Sequence, residues 1–155
     1  MRGNIKLYTG FLLILFACEE APEPVNISLN NSYSVYNGKT YCLTLDMKVW
    51  NYLGETFHEN LDRYYLAVGD VVDREKYQML NVSRGTSVTF REVWTFDDTR
   101  NKDRHGWVWF LGEVHDGVVR DHLVDLSALL ERRVALAEFS PKINEKIVEE
   151  CRKTK

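Results

Sequence analysis

Alternation of hydrophobic and polar positions predicts a mainly β protein. In the run 39–50 the odd positions from Tyr41 onward are apolar and the even ones are mostly polar, which is typical of a strand with one buried face. Residues 85–96 alternate in a similar way, with Val88, Phe90 and Trp94 assigned to one face. Residues 106–111 are apolar at nearly every position, which predicts either burial on both faces or an exposed aromatic surface.

The last part of the chain has a helical pattern instead. Ser140 and Pro141 are suited to the cap and the first position of a helix, and Ile143, Ile147 and Cys151 recur at intervals of four. This spacing predicts an amphipathic helix over residues 141–153, with Cys151 on its buried stripe. The predicted fold class is therefore a small β-barrel or sandwich ending in a C-terminal α-helix.

The first residues have the pattern of an export signal. Arg2 and Lys6 precede an apolar run of about ten residues, a length suited to a signal peptide. This run is too short for a membrane-spanning helix, which needs about 20 apolar residues. The run closes on Ala17 and Cys18, and residues 15–18 resemble the lipobox of bacterial lipoproteins. The resemblance implies a signal peptide over 1–17, acylation of Cys18 by palmitate or a similar chain, and an envelope location, at the outer membrane or the periplasmic face.

The remaining sequence indicates one domain. Residues 18–31 are rich in proline and acid, which predicts a flexible tether. Residues 32–155 have the length of a single mainly β domain. The formal net charge is -3, and loss of Arg2 and Lys6 with the leader would make it -5. An acidic protein of this kind is not expected to bind nucleic acid.

Cysteine usage predicts a disulfide. With Cys18 acylated, Cys42 and Cys151 remain in an oxidising compartment, where disulfides persist. Cys42 lies on the strand face opposite the apolar one, where the predicted helix could cover it. A Cys42–Cys151 bridge is therefore predicted, with two buried free thiols as the alternative.

A second resemblance concerns the fold of residues 85–139. Five features occur here in a fixed order. They are a strand that opens with Gly85, a charged hairpin loop, the Trp-bearing strand 106–114, the Asp116-Gly117 turn and a helical turn at 127–130. This order resembles the SH3-like barrels of exported bacterial proteins. The resemblance implies binding of cell-wall peptides or partner proteins.

Candidate chemistry is sparse. Trp94, Trp107 and Trp109 would either line a binding groove or fill the core. The metal-capable residues have no closed zinc spacing, so neither a metal site nor another cofactor is predicted. These residues are His105, His115, Asp116, Asp121 and His122. No nucleophile, metalloprotease or nucleotide-binding motif occurs, which disfavours catalysis.

Together these patterns predict a lipid-anchored envelope protein that binds or scaffolds an envelope protein or a cell-wall component without catalysis. Two alternatives remain open at this stage. One is a soluble secreted binding or inhibitory protein, which sequons at Asn26, Asn30 and Asn81 would suit. The other is a small envelope hydrolase.

Overall fold

A computed structural model describes residues 23–30, 32–56, 61, 63–70, 73–95, 106–117, 119, 121–134 and 141–151. The described residues form a mixed sheet of nine strands and one 3₁₀ turn at Ser127–Leu129. The strands are β1 (Val25–Asn26), β2 (Thr40–Leu43), β3 (Met47–Tyr52), β4 (Tyr64–Ala67), β5 (Tyr77–Val82), β6 (Ser87–Thr95), β7 (Val108–Val114), β8 (Val124–Asp125) and β9 (Val148–Glu150).

The sheet runs in the order β5-β3-β4-β8-β7-β6-β2-β9, with β1 added to β6. All pairs are antiparallel except β4 with β8. The predicted strand over 39–50 is broken at Asp46, whose Oδ1 accepts the Arg84 backbone N–H at 2.7 Å. β2 and β3 therefore belong to different parts of the sheet.

This break makes the sheet curl. β2 and β3 lie five strand spacings apart along the sheet, about 24 Å if it were flat. The connection from Leu43 to Met47 can span only about 14 Å. The sheet must therefore bend around its core, but β5 and β9 do not pair in the described residues. The predicted β-rich class is confirmed, whereas the closed barrel is wrong.

The concave face holds the main core. Phe90 and Phe110 pack edge to face there, with ring centroids 6.2 Å apart. Tyr33 approaches Phe110 in the same geometry at 5.9 Å. Fully buried valines and leucines from β2, β3, β4, β6, β7 and β8 complete the cluster. The burial of these side chains is the main stabilising contribution to the fold.

β7 is buried on both faces, which is one of the two arrangements that the apolar run 106–111 predicts. Phe110 faces the main core, while Trp109 and Leu111 form a second cluster with Leu61 on the convex face. A bulge in β6 between Phe90 and Glu92 shifts the alternation by one residue. For this reason Trp94 packs on the convex face and not with Phe90, which corrects the sequence assignment.

The described chain enters the sheet before the predicted domain boundary at residue 32. Val25 and Asn26 pair with Thr95 and Trp94 of β6. Ser28 is buried, and its Oγ accepts the Val93 backbone N–H at 2.7 Å. Val25 and Asn26, which belong to the segment predicted as a tether over 18–31, are thus part of the sheet, and the Ser28 hydroxyl adds a side-chain contact to β6.

The predicted C-terminal helix over 141–153 is wrong for the residues described. Ile143 forms a bridge with Leu130, and Val148–Glu150 is a strand paired with β2. The extended form satisfies the free edge of β2 and still buries Ile147 and Val148. Tertiary pairing here outweighs the intrinsic helical preference. Within the described residues, no helix is long and apolar enough to span a membrane.

The predicted disulfide is confirmed. Cys42 and Cys151 are bonded, with their Cα atoms 5.0 Å apart and 109 positions apart in sequence. The bond joins β2 to the residue that follows β9. The predicted pairing is correct, although Cys151 reaches Cys42 from the end of a strand and not from a helix.

Candidate binding groove

One register row crosses six strands of the sheet and defines its convex face. The paired residues along this row are Met79, Trp50, Tyr65, Asp125, Leu111 and Glu92. Because side chains alternate along a strand, Tyr52 and Tyr77 project to this same face beside Trp50. The convex face thus carries a band of aromatic side chains from β5 to β6.

A groove of about 460 Å³ lies in this band between β5 and the segment after the 3₁₀ turn. We call it the outer groove. It is lined by Trp50, Tyr65, Leu66, Ala67, Tyr77, Asp125, Ser127, Ala128, Leu130 and Arg133. Its size and its mixture of aromatic, aliphatic and a few charged groups are typical of ligand sites.

The aromatic wall of the outer groove comes from β3, β4 and β5. Trp50 packs against Tyr77 with their ring centroids 6.0 Å apart, and Tyr77 also packs against Tyr52 at 5.2 Å. The indole Nε1 of Trp50 donates to the Gly69 carbonyl oxygen at 3.4 Å. These contacts fix the rings while Trp50 and Tyr77 stay half-exposed. The wall therefore offers apolar area at low entropic cost to a ligand.

The polar end of the outer groove is built around Asp125, which is 4% exposed. Its Oδ1 accepts hydrogen bonds from the backbone N–H and the hydroxyl of Ser127. The guanidinium of Arg133 lies 3.8 Å from its Oδ2. A buried carboxylate needs such partners to offset its desolvation. Asp125 and Ser127 thereby hold the start of the 3₁₀ turn, and Arg133 presents its charge to the groove.

Arg133 also connects the outer groove to the predicted tryptophans. Its guanidinium carbon lies 4.2 Å from the ring centroid of Trp107 and 5.5 Å from that of Trp109. This stacking is a cation–π arrangement. Trp109 is 1% exposed and is a core residue, so it does not line a groove. Trp107 and Trp94 are half-buried beside it, and the Trp94 Nε1 donates to Glu92 at 2.7 Å.

A second cavity of about 540 Å³ lies near the β7–β8 connection and includes His115, Asp121 and His122. His115 Nε2 is 2.8 Å from the Thr89 hydroxyl, and the His122 ring packs 4.8 Å from Tyr64. Across the described ranges, no three His, Cys, Asp or Glu side chains converge as metal ligands. His105 lies outside the described residues.

The second cavity contains an exposed ion-pair network. Arg91 donates to Glu113 at 2.8 Å, and His115 lies 3.8 Å from the same Glu113 oxygen. The hydrogen bond from Arg91 holds the pKa of the Glu113 carboxyl below its usual value. Both partners are about two-fifths exposed, so the pair adds little stability. These contacts, with the one from Thr89, give Glu113 and His115 partners within the protein.

Sequence reasoning missed most of the outer groove. Trp50 was recognisable as a large aromatic side chain on the polar face of a strand, which is a signal of binding. Asp125 and Arg133 gave no such signal, because they meet through the turn after β8 and reach the aromatic wall only through the β4–β8 pairing. Cys18 and residues 1–17 lie outside the described residues.

Comparison of the chain with known protein families, curated proteins and solved structures finds no match. The fold and the groove define the class: a disulfide-linked, mainly β protein with an aromatic groove on the convex face of an open sheet.

Proposed function

We propose that this protein is an exported, lipid-anchored envelope protein that binds a cell-wall component in the outer groove without catalysing a reaction. The groove is the observation that carries the proposal. Trp50 and Tyr77 supply flat apolar surface, and Arg133, held beside the buried Asp125, supplies a charged donor. Cell-wall glycopeptides combine apolar sugar faces with hydroxyl, amide and carboxylate groups, which is the chemistry that this lining fits.

The disulfide supports the cellular location. Disulfides between cysteines distant in sequence persist in oxidising compartments and are rare in the cytosol. An envelope location with Cys18 as the anchor leaves each cysteine of the chain with a role. A soluble secreted binding protein would need the same disulfide, so the anchor has to be tested separately.

Binding is tested by co-sedimentation of the protein with purified bacterial peptidoglycan. We expect Trp50→Ala and Arg133→Met to lower the bound fraction severalfold, because each removes one wall of the groove. Arg74→Met is the matched control, since Arg74 is an exposed arginine outside the groove lining, with its guanidinium 3.3 Å from Asp70. Equal binding by all three variants would rule out the outer groove as the site, and no binding by the unsubstituted protein would rule out this ligand.

The anchor is tested by incorporation of radiolabelled palmitate in cells. We expect label in the unsubstituted chain and none in Cys18→Ala, because acylation requires the thiol at the lipobox. Cys151→Ala should keep the label. Palmitate that survives in Cys18→Ala would contradict the anchor, and an unblocked N-terminus away from Cys18 would favour the soluble secreted protein.

A further inference from the structure

The strand β5 forms one end of the described sheet, and its backbone directions can be assigned. The Leu53 N–H donates to the Lys76 carbonyl oxygen at 2.9 Å. In an antiparallel ladder the backbone N–H and C=O groups of alternate residues point to the same side. Those of Gln78, Leu80 and Val82 therefore point to β3. The N–H and C=O groups of Tyr77, Met79 and Asn81 therefore point away from the described sheet.

Among the described residues, this edge lacks the features by which proteins normally prevent strand addition. β5 has six residues, and none of them is charged, proline or glycine. The opposite edge strand, β9, has only three residues, and two of these are the exposed Glu149 and Glu150. Short length and charge are common protections of edge strands. Within one sheet, therefore, one end is protected and the other is open to pairing.

The β5 edge is complementary to itself. A two-fold axis at Met79 would place Met79 opposite Met79 of a second copy and Tyr77 opposite Asn81, in antiparallel register. The three residues with outward-pointing backbone groups are thus paired with one another, and no like charges face each other within the strand. The same operation at β9 would bring glutamates together. Two-fold symmetric pairs of this kind are the commonest oligomers.

We propose that β5 is the edge through which two copies of this chain join, by antiparallel β5–β5 pairing centred on Met79. The two sheets become continuous in the dimer. Because the axis is perpendicular to the sheet, the convex faces of both copies lie on the same side. The two outer grooves then flank the junction, since Tyr77 belongs to both β5 and the groove wall.

The pairing is tested by disulfide cross-linking of the full-length chain in cell membranes. In the proposed register the two Met79 Cα atoms lie about 5.5 Å apart, within disulfide range, whereas the two Gln78 Cα atoms lie about 8 Å apart. Met79→Cys should therefore give about tenfold more covalent dimer than Gln78→Cys on a non-reducing gel. Val68→Cys, at an exposed position away from this edge, is the control for cross-linking by random collision. The unsubstituted chain is the control for cross-linking through Cys18.

A second measurement uses the outward direction of the Met79 N–H. Met79→Pro removes this donor without removing a bond to β3, so the detergent-solubilised full chain should sediment as a monomer while remaining folded. Met79→Lys should have the same effect through repulsion across the axis. Equal cross-linking at positions 68, 78 and 79, a Met79→Cys adduct with another protein, or a dimer that survives both variants would each overturn the proposal.

Discussion

The disulfide gives the prediction whose magnitude can be worked out most directly. Replacing Cys42 and Cys151 by alanine opens a loop that spans 109 positions. In the chain-entropy account a loop of about 100 residues is worth about 4.7 kcal/mol of stability. For a domain of about 130 residues the entropy of unfolding is about 0.27 kcal/mol/K, so the melting temperature should fall by about 15–20 °C.

The assay is thermal unfolding followed by circular dichroism, with and without reductant. Reduction of the unsubstituted protein should reproduce most of the shift, and reductant should leave the double alanine variant unchanged. Reduction should also raise the mass by two hydrogen atoms. Two alkylatable thiols from Cys42 and Cys151 in the unreduced native protein, or a shift below about 3 °C, would refute the reasoning.

Three further predictions concern single positions. Gly112→Ala should destabilise the protein severely in urea unfolding, because the added Cβ would lie 2.3 Å from the Thr89 carbonyl oxygen. Trp109→Ala should cost about 3–5 kcal/mol in the same assay, since its ring is buried in the convex-face cluster. Burial raises the pKa of the Tyr36 hydroxyl, which donates to the Pro141 carbonyl oxygen, above its ordinary value of 10.0. The stabilising contribution of the protonated hydroxyl is thus complete below pH 10 and is lost as the pH rises through the folded-state pKa. The melting temperature of Tyr36→Phe should therefore fall less steeply above pH 10 than that of the unsubstituted protein.

Sequence patterns predicted those features that depend on local composition. The run 106–111 is apolar at both odd and even positions, which predicts either burial of β7 on both faces or an exposed aromatic surface. Trp109 and Phe110 are both buried, so β7 is buried on both faces. The disulfide was predictable because Cys42 and Cys151 are the two cysteines that remain when Cys18 is assigned to the anchor, although the helix expected to carry Cys151 is wrong. Neither inference needed to know the sheet order.

Features that depend on long-range pairing were not predictable. The bulge after Phe90 reverses the side on which Trp94 lies, and no residue type announces it. Ile147 and Val148 suit a helix or a strand equally, and the free edge of β2 decides between them. Asp125 and Arg133 become groove residues only through the β4–β8 contact. The outer groove is therefore a property of the topology more than of any motif.

The disulfide and the outer groove are built from different strands of the sheet. Cys42 is on β2 and Cys151 follows β9, whereas Trp50 and Tyr77 belong to β3 and β5. The covalent loop contains every residue that lines the groove, yet neither cysteine is among the lining residues. The bond can thus affect ligand binding only through the population of folded protein. At a temperature where the reduced chain remains folded, groove binding should be unchanged by reduction, and it should be lost together with the sheet when that temperature is exceeded.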